Sequence, residues 1–292
     1  MLDLPLSDRD AASMAIAENI LVTGGSGTVG RAVVQALRAA GTAPLVASRD
    51  GSSVGEVRFD FLDRASWDLA LSGVSRLFLL RPPQITDIDN TLGPFVRFAR
   101  SIGVEHIVFL SVAGAENLSF LPHAKVERYL AETSGWTILR PGFFAQNIET
   151  AYAGDIRFDN RIYVPAGRGK VAFVDARDIG EATAGCRLRP DLHSDTAYGL
   201  TGPVAVTFMQ VADRLSFLLN RQISYKPASI IGYLTHLRAK NEPWSKAIVQ
   251  TALHVGLRFG QAAGIAPDLA QMIPKKPRSI FDYLDDYHAL WK

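Results

Sequence analysis

This chain of 292 residues lacks the sequence features that form disulfide cross-links or membrane-spanning helices. Cys186 is the only cysteine, which excludes an internal disulfide and is typical of the reducing cytoplasm. No apolar run approaches the roughly 18 residues that a membrane-spanning helix requires. The 31 basic and 29 acidic residues are interspersed, so no charged footprint for nucleic acid is indicated. The sequence therefore predicts a cytoplasmic protein with neither a membrane nor a nucleic acid as partner.

Metal sites and export signals are not indicated either. Four histidines of the second half lack the mutual spacing of metal ligands: His193, His236, His254 and His288. Residues 1–18 carry several charged side chains and no clean apolar stretch, which is not typical of a secretory signal. We expect these residues to form a loose N-terminal arm.

The sequence does contain a glycine-spaced turn near its beginning. An apolar run at 20–23 leads directly into Gly24, Gly27 and Gly30, and a helix-forming stretch follows at once. A strand that turns this sharply into a helix brings backbone N–H groups close to a pyrophosphate, provided that no side chain blocks the approach. A glycine triplet alone is weak evidence, but a strand before it and a helix after it favour dinucleotide binding.

Strand-like and helix-like segments alternate through the first half of the chain. Apolar runs typical of strands recur at 43–48, 56–61, 76–83, 106–114 and 136–144. Most of the intervening segments are typical of helices. This alternation predicts βαβ units with right-handed crossovers, and hence an α/β fold with a doubly wound parallel sheet of the Rossmann type.

The alternation weakens after about residue 150. Two further strand-and-helix pairs are predicted, and Thr207 is the expected N-cap of the second helix. Asp175 and Asp178 are expected to cap the helix of the first pair. Residues 229–273 are mostly helical and richer in aromatics, which predicts a smaller, mainly helical lobe that covers the substrate.

The predicted domains are an arm at 1–18, a nucleotide-binding core at 19–150, and the remaining core elements with the lobe at 151–292. The aromatic and apolar side chains of 225–262 are numerous enough to line a pocket for a flat aromatic ligand. They fit an ordinary helix-packing core equally well, so both interpretations stay open.

Several sequence blocks together resemble one family. In order they are LVTGGSGTVG, LFLLRPP, HIVFLSVAGAE, HAKVERYLAETSGWTILRPGFFAQN, FVDARDIGEA and YGLTGP. Their order and spacing resemble the NmrA-like atypical short-chain dehydrogenase/reductases, which are similar to NADPH:quinone oxidoreductases and certain polyketide ketoreductases. The resemblance covers roughly residues 19–225 and implies an NADP(H)-binding Rossmann fold with its site at the carboxyl ends of the strands.

The resemblance also implies which residues contact the cofactor and the substrate. The implied cofactor-binding residues follow the ends of successive strands: Gly24, Ser26, Gly27, Thr28, Val29, Gly30, Arg49, Asp60, Phe61, Leu80, Arg81, Pro82, Ser111, Pro141, Gly142 and Phe143. Asp60 and Phe61 would hold the adenine, and Pro141 to Phe143 would shape the nicotinamide pocket. Phe144 and Asn147 are the implied substrate contacts.

The end of the second strand bears on the choice between NAD and NADP. Arg49 is followed directly by Asp50. An acidic residue there accepts hydrogen bonds from the ribose 2′-hydroxyl of NAD, whereas an arginine pairs with the 2′-phosphate of NADP. Because arginine comes first and its fork suits phosphate, we expect NADP(H). The alternative is that Arg49 only caps a surface turn.

The tyrosine and lysine of standard short-chain dehydrogenases are absent from the matching positions. Counting back from Glu127 in steps of four places His123 at the lysine position and Ser119 at the tyrosine position. Ser111 matches the family's serine. His123 is either a site residue, donating a proton or binding the cofactor ribose, or a structural residue near the start of the helix that Pro122 introduces. Ser111 and His123 are therefore the catalytic candidates.

Two functions follow, and a third is weaker. The first is an NADPH-dependent reductase that transfers hydride to a quinone or an activated aromatic or polyketide ketone without a Tyr–Lys pair. The second is a non-catalytic, NADP-binding redox sensor of the NmrA type. The third is an isomerase or epimerase that keeps its NADP bound. The expected partner is a small aromatic molecule, and the expected state is a monomer or a homodimer.

Overall fold

The fold is seen in a computed structural model that describes residues 19–292, so the arm predicted for 1–18 lies outside it. Its strands are β1 (Asn19–Val22), β2 (Leu45–Ser48), β3 (Glu56–Arg58), β4 (Val74–Leu80), β5 (His106–Leu110), β6 (Trp136–Pro141), β7 (Arg161–Val164), β8 (Lys170–Val171), β9 (Thr196–Leu200), β10 (Val206–Thr207) and β11 (Ser224–Pro227).

The helices follow the same chain order, and short 3-10 turns at 64–66, 115–117 and 288–291 supplement them. They are α1 (Thr28–Ala39), α2 (Trp67–Leu71), α3 (Leu92–Ser101), α4 (Pro122–Leu130), α5 (Asn147–Thr150), α6 (Ala153–Asp159), α7 (Ala176–Leu188), α8 (Pro190–His193), α9 (Phe208–Leu219), α10 (Ile230–Ala239), α11 (Trp244–Arg258), α12 (Asp268–Met272) and α13 (Ile280–Tyr287).

Seven strands form one parallel sheet in the order β3-β2-β1-β4-β5-β6-β9. The strand order reverses between β1 and β4, where Val22 lies beside Phe78. In open α/β sheets the ligand crevice lies at this reversal, outside the carboxyl ends of the strands. The predicted Rossmann-type fold is therefore confirmed, and its crevice follows from the topology.

Alternation of side chains along the strands gives the sheet two buried faces. In β1, Ile20 and Val22 join α1 and α7 on one face, while Leu21 joins α2, α3 and α4 on the other. Strand β5 is buried over its whole length. Such continuous burial is expected of a parallel sheet whose two faces are both covered by helices.

A second core, which we call the lobe core, is built from segments after β6. It unites Ile148, Tyr152, Phe208, Tyr233 and Trp291 with other apolar side chains. Helices α5, α6, α9, α10, α11 and α13 surround it, together with the parallel pair β7–β11 and the antiparallel pair β8–β10. Between Asn19 and Lys292, no helix combines the length and the hydropathy that crossing a bilayer demands.

Two of the residues predicted to cap helices, Thr207 and Asp175, do so, and a third, Asp178, does not. Thr207 accepts a hydrogen bond from Gln210 in a capping box at the start of α9, and Asp175 accepts one from the backbone of Arg177 at the start of α7. Asp178 does not cap α7. Its buried carboxylate instead accepts from the backbone and the guanidinium of Arg278, because the chain returns from the lobe at that point.

The third strand is shorter than predicted. It ends at Arg58 rather than at residue 61. Phe59 and Phe61 both turn into the core, where their rings pack edge to face at 4.7 Å. The carbonyl oxygen of Asp60 accepts hydrogen bonds from Ser66 and from the indole of Trp67, so the backbone leaves the sheet ladder here.

A substitution at Gly180 tests the close packing of α7 on α1. A Cβ there would lie 2.5 Å from the carbonyl oxygen of Ala32. The gain in helix propensity from Gly180→Ala is about 1 kcal/mol, whereas overpacking against fixed backbone costs about 1–3 kcal/mol. We expect a net loss of unfolding free energy, measured by urea denaturation. Gly264→Ala, where a Cβ meets nothing within 4 Å, is the control and should change it little; equal effects would contradict the packing argument.

Candidate functional site

The turn after β1 is shaped for a phosphate. Gly24 has a φ of +65°, and a Cβ at Gly30 would lie 2.1 Å from the carbonyl oxygen of Gly24. Helix α1 begins at Thr28, and its N-cap, Gly27, supplies no side-chain cap. The first N–H groups of α1 are therefore open to a ligand at the positive end of the helix dipole. The cradle fits the pyrophosphate of a dinucleotide.

A groove of about 860 Å³ runs from this turn across the carboxyl ends of β2, β3 and β4. It brings together six of the sequence-predicted residues: Gly24, Ser26, Arg49, Asp60, Phe61 and Pro82. It also includes Ser48, Glu56 and Gln84, which the sequence analysis did not select. The groove has the size and the position expected for the adenosine half of a dinucleotide.

Two carboxylates stand near Arg49 at this end of the groove. The hydroxyl of Ser48 donates its proton to Glu56 Oε2 at 2.8 Å, and Asp50 Oδ1 lies 3.2 Å from the same oxygen. A hydrogen bond from Ser52 is the main cause that lowers the pKa of Asp50. Glu56 comes here because β3 pairs in parallel with β2. The charge beside Arg49 is therefore less positive than the sequence neighbourhood of Arg49 suggests.

Leu80 and Arg81 are positioned by contacts at the strand reversal. The hydroxyl of Thr23, a residue that the sequence analysis did not select, donates to Phe78 O at 3.1 Å and accepts from Leu80 N at 2.8 Å. The guanidinium of Arg81 donates to Ile85 O at 2.7 Å. Arg81 thereby holds the loop after β4 against the groove.

Ser111 lies at the end of β5 and is buried. Its hydroxyl donates to Glu127 Oε1 at 2.5 Å. Arg140 Nη2 pairs with Glu127 Oε2 at 2.7 Å, and its Nε donates to Glu127 Oε1 at 3.1 Å. This network ties β5, α4 and β6 together. The hydroxyl proton of Ser111 is already used within the protein.

His123 lies in the first turn of α4 and is half-buried. Arg81 Nε donates to His123 Nε2 at 3.4 Å, which assigns the remaining ring proton to Nδ1. Burial, and secondly the charge of Arg81, lower the pKa of His123 to about 4. The imidazole is therefore neutral near pH 7. Lys125, two residues on, pairs with Asp89 at 2.8 Å on the surface.

The segment after β6 joins the core to the lobe. Gly142 N donates to Leu200 O, and Val174 N donates to Phe143 O, each at 2.9 Å. Phe143 packs against the lobe core, and Phe144 packs against the sheet face that carries α1 and α7. The two rings thus point to opposite sides of the segment. Asn147 is half-buried at the start of α5.

A buried histidine links the lobe to this segment. Tyr152 donates its hydroxyl proton to His254 Nε2 at 2.5 Å, because His254 Nδ1 donates to Gln250 O at 2.6 Å. Burial lowers the pKa of His254 to about 4. The ring of Phe143 meets the ring of His254 edge to face at 5.7 Å. The lobe therefore contacts the segment directly.

Part of the aromatic stretch at 225–262 is helix-packing core, and part lies on the surface. Tyr233 is 2% exposed and belongs to the lobe core. Trp244 and Phe259 are 59% and 78% exposed. Among residues 19–292, no group of three or more His, Cys, Asp or Glu side chains is placed to hold a metal ion.

Sequence comparison places the chain among reductases, although no protein-family model matches it. The chain is 31% identical to a (4-alkanoyl-5-oxo-2,5-dihydrofuran-3-yl)methyl phosphate reductase of Streptomyces griseus, over 90% of this chain and 96% of the relative. It is 29% identical to an NAD(P)H azoreductase of Xenophilus azovorans, over 92% of this chain and 98% of the relative.

Solved structures share the fold over nearly the whole chain. A Citrobacter triphenylmethane reductase complexed with NADP(H) has a TM-score of 0.80 at 23% identity, covering 92% of this chain and 99% of that one. An NADPH-dependent quinone oxidoreductase of Escherichia coli, complexed with NADPH, has 0.81 at 22%, covering 91% and 99%. NmrA, a negative transcriptional regulator in complex with NADP, has 0.73 at 15%, covering 94% and 96%.

The sequence blocks, the strand order of the sheet, the glycine turn after β1 and the relatives all indicate the same family. The identity of 31% to the Streptomyces reductase, over 90% of this chain, shows that the two proteins belong to one family. The chain belongs to the NmrA-like atypical short-chain dehydrogenase/reductases, a family of NAD(P)H-binding reductases.

Proposed function

We propose that this protein is an NADPH-dependent reductase that transfers hydride to a quinone or to an activated aromatic or polyketide ketone. One observation carries the proposal. The residues at the end of β5 and the start of α4 offer no ready proton: Ser111 donates to Glu127, His123 is neutral, and Ser119 is exposed in the loop before α4. The substrate is therefore one whose reduction does not need an acid from the protein.

The cofactor, when bound, supplies the hydride. The turn from Gly24 to Gly30 would hold its pyrophosphate with backbone N–H groups, and Asp60 and Phe61 would flank the adenine. Arg49 would pair with the 2′-phosphate. Pro141, Gly142 and Phe144 would shape the nicotinamide pocket. Relatives complexed with NADP(H) or NADPH support this choice of cofactor.

Substrate chemistry then follows from the missing acid. A carbonyl that accepts hydride becomes an alkoxide, which needs a proton within the site. A quinone instead becomes a hydroquinone anion, which its own ring stabilises, and a phenol adjacent to a ketone donates a proton internally. Quinones and such ketones therefore match these residues, and unactivated aliphatic ketones do not.

Phe143 and Asn147 are the side chains we assign to the substrate. Phe143 is half-buried and faces the lobe, where its ring meets Phe173 and His254. Phe144 packs against the opposite side and contacts the sheet. The proposal thus exchanges the roles that the sequence resemblance implied for Phe143 and Phe144.

Initial rates with purified protein test this function. NADPH is incubated with a panel of quinones, hydroxyaryl ketones and simple aliphatic ketones, and the loss of its absorbance is followed. We expect turnover with the first two classes and none with the third. Efficient reduction of an aliphatic ketone would reveal a proton donor missing from this account. Tight NADPH binding without turnover of any substrate would favour the redox-sensor alternative.

Cofactor preference is predicted to depend on Arg49 and Glu56 in opposite ways. Hydrogen bonds to charged groups contribute about 1.5–3 kcal/mol, so Arg49→Ala should weaken NADPH binding about 10- to 100-fold and change NADH binding little. Glu56→Gln keeps an acceptor for Ser48 but removes a negative charge near the 2′-phosphate, so it should strengthen NADPH binding a few-fold. Fluorescence titration with both cofactors measures this. Equal affinity of the parent protein for NADPH and NADH would contradict the assignment.

His123 is predicted not to be the proton donor. Because its pKa is about 4, it stays neutral between pH 6 and 9, and turnover at saturating cofactor and quinone should show no inflection near 6.5. His123→Ala should reduce turnover less than 10-fold and act mainly on cofactor affinity, whereas loss of a general acid costs about 10²–10⁴-fold. Lys125→Ala on the same helix is the control. A loss of 100-fold or more in turnover, specific to His123, would identify it as the acid.

A further inference from the structure

Helix α11 presents an exposed apolar face. The side chains that share it are Trp244, Ile248, Val249, Ala252, Leu253 and Phe259, which we call the α11 stripe. At about 100° per residue the five that lie in the helix fall within about half of its circumference, and Phe259 follows as the C-cap. Ile248, Val249 and Leu253 are each at least 56% exposed. Ser245 lies among these side chains, Lys246 borders them and pairs with Glu242 at 2.8 Å, and the guanidinium of Arg238 lies 5.0 Å from the Trp244 ring.

The opposite side of α11 is already used. Ala247, Thr251, His254 and Leu257 are buried against the lobe. His254 makes the contacts to Tyr152 and Phe143 described above. The stripe therefore faces away from the segment that joins lobe and core, and it is not an unfilled part of the lobe core.

The area of the stripe is large for a free surface. Aromatic side chains offer 150–250 Å² each and aliphatic ones somewhat less, so these exposures amount to on the order of 600 Å² of apolar surface per copy. Large patches on monomers are typically about 300–600 Å². Two stripes placed together would bury on the order of 1,200 Å², which reaches the lower bound of specific interfaces.

The stripe is also suited to pairing with itself. In an antiparallel, two-fold arrangement centred on Ile248 and Val249, these side chains meet their counterparts near the axis, and Trp244 and Phe259 lie on either side of it. Antiparallel helix dipoles add a small favourable term. We propose that the α11 stripe is the two-fold interface of a homodimer of this chain.

Light scattering on a size-exclusion column tests the assembly of the full chain. We expect a mass twice the 31.8 kDa of one copy. Ile248→Glu should give a monomer that keeps its circular dichroism spectrum and its NADPH binding. Phe217→Glu, which alters a side chain 75% exposed on α9, is the matched control and should stay dimeric. A monomeric parent at 100 μM, or equal dissociation by both variants, would overturn the proposal.

Cysteine cross-linking locates the interface independently. The native thiol of Cys186 is fully buried, so an introduced cysteine is the accessible one. Ile248→Cys should form an intermolecular disulfide under mild oxidation, and Phe217→Cys should not. Cross-linking at position 217 alone would place the interface elsewhere and overturn the proposal.

Other occupants of the stripe give different results. A monomeric parent that floats with vesicles of anionic phospholipid, and loses this property in Ile248→Glu, would assign the stripe to a lipid surface. A parent that dimerises only after deletion of residues 2–18 would assign it to the N-terminal arm. Loss of reductase activity in Ile248→Glu without any change in mass would assign it to the substrate site. Each of these outcomes overturns the dimer.

Discussion

The close approach of Gly30 to the carbonyl oxygen of Gly24 is the contact on which the nucleotide site depends. It is possible only without a Cβ, and it allows β1 to turn into α1 within five residues. The same turn points the uncapped N-terminus of α1 at the groove. Helix α1 is also held from the side of α7, because Gly180 allows a close approach to the carbonyl oxygen of Ala32.

The segment after β6 is the second point where fold and chemistry meet. Backbone hydrogen bonds from Gly142 and Val174 attach it to β9 and to the strand-like segment before α7. Phe143 packs against the lobe core, and Phe144 packs against the core between the sheet and helices α1 and α7. His254 of the lobe contacts Phe143 of this segment. A change in the packing of the lobe would therefore move Phe143, which lies where nicotinamide and substrate would meet.

Much of this architecture could be predicted from the sequence because its signals are local. The strand, the glycines and the helix of 20–39 lie next to one another, and the caps at Asp175 and Thr207 act within three residues. The short pair β7–β11 was not predicted, because each strand has four residues and its partner lies about 60 positions away.

The same distinction holds for the site. Gly24, Arg49, Asp60 and Pro82 line one groove, since each follows a strand of the sheet. Glu56 was missed because only the register of β3 on β2 brings it to Ser48. The orientations of Phe143 and Phe144 depend on where the lobe lies, and the neutrality of His123 depends on burial and on Arg81. None of these has a signature within the sequence.

The central claim is hydride transfer to an acceptor that needs no proton from the protein. Single-turnover oxidation of NADPH by a quinone, with the cofactor deuterated at the transferred position and with the solvent exchanged for D₂O, tests it most directly. The account predicts a slower step with deuterated cofactor and no significant solvent isotope effect. A large solvent isotope effect on the same step would show a proton in flight from a group of the protein and contradict the claim.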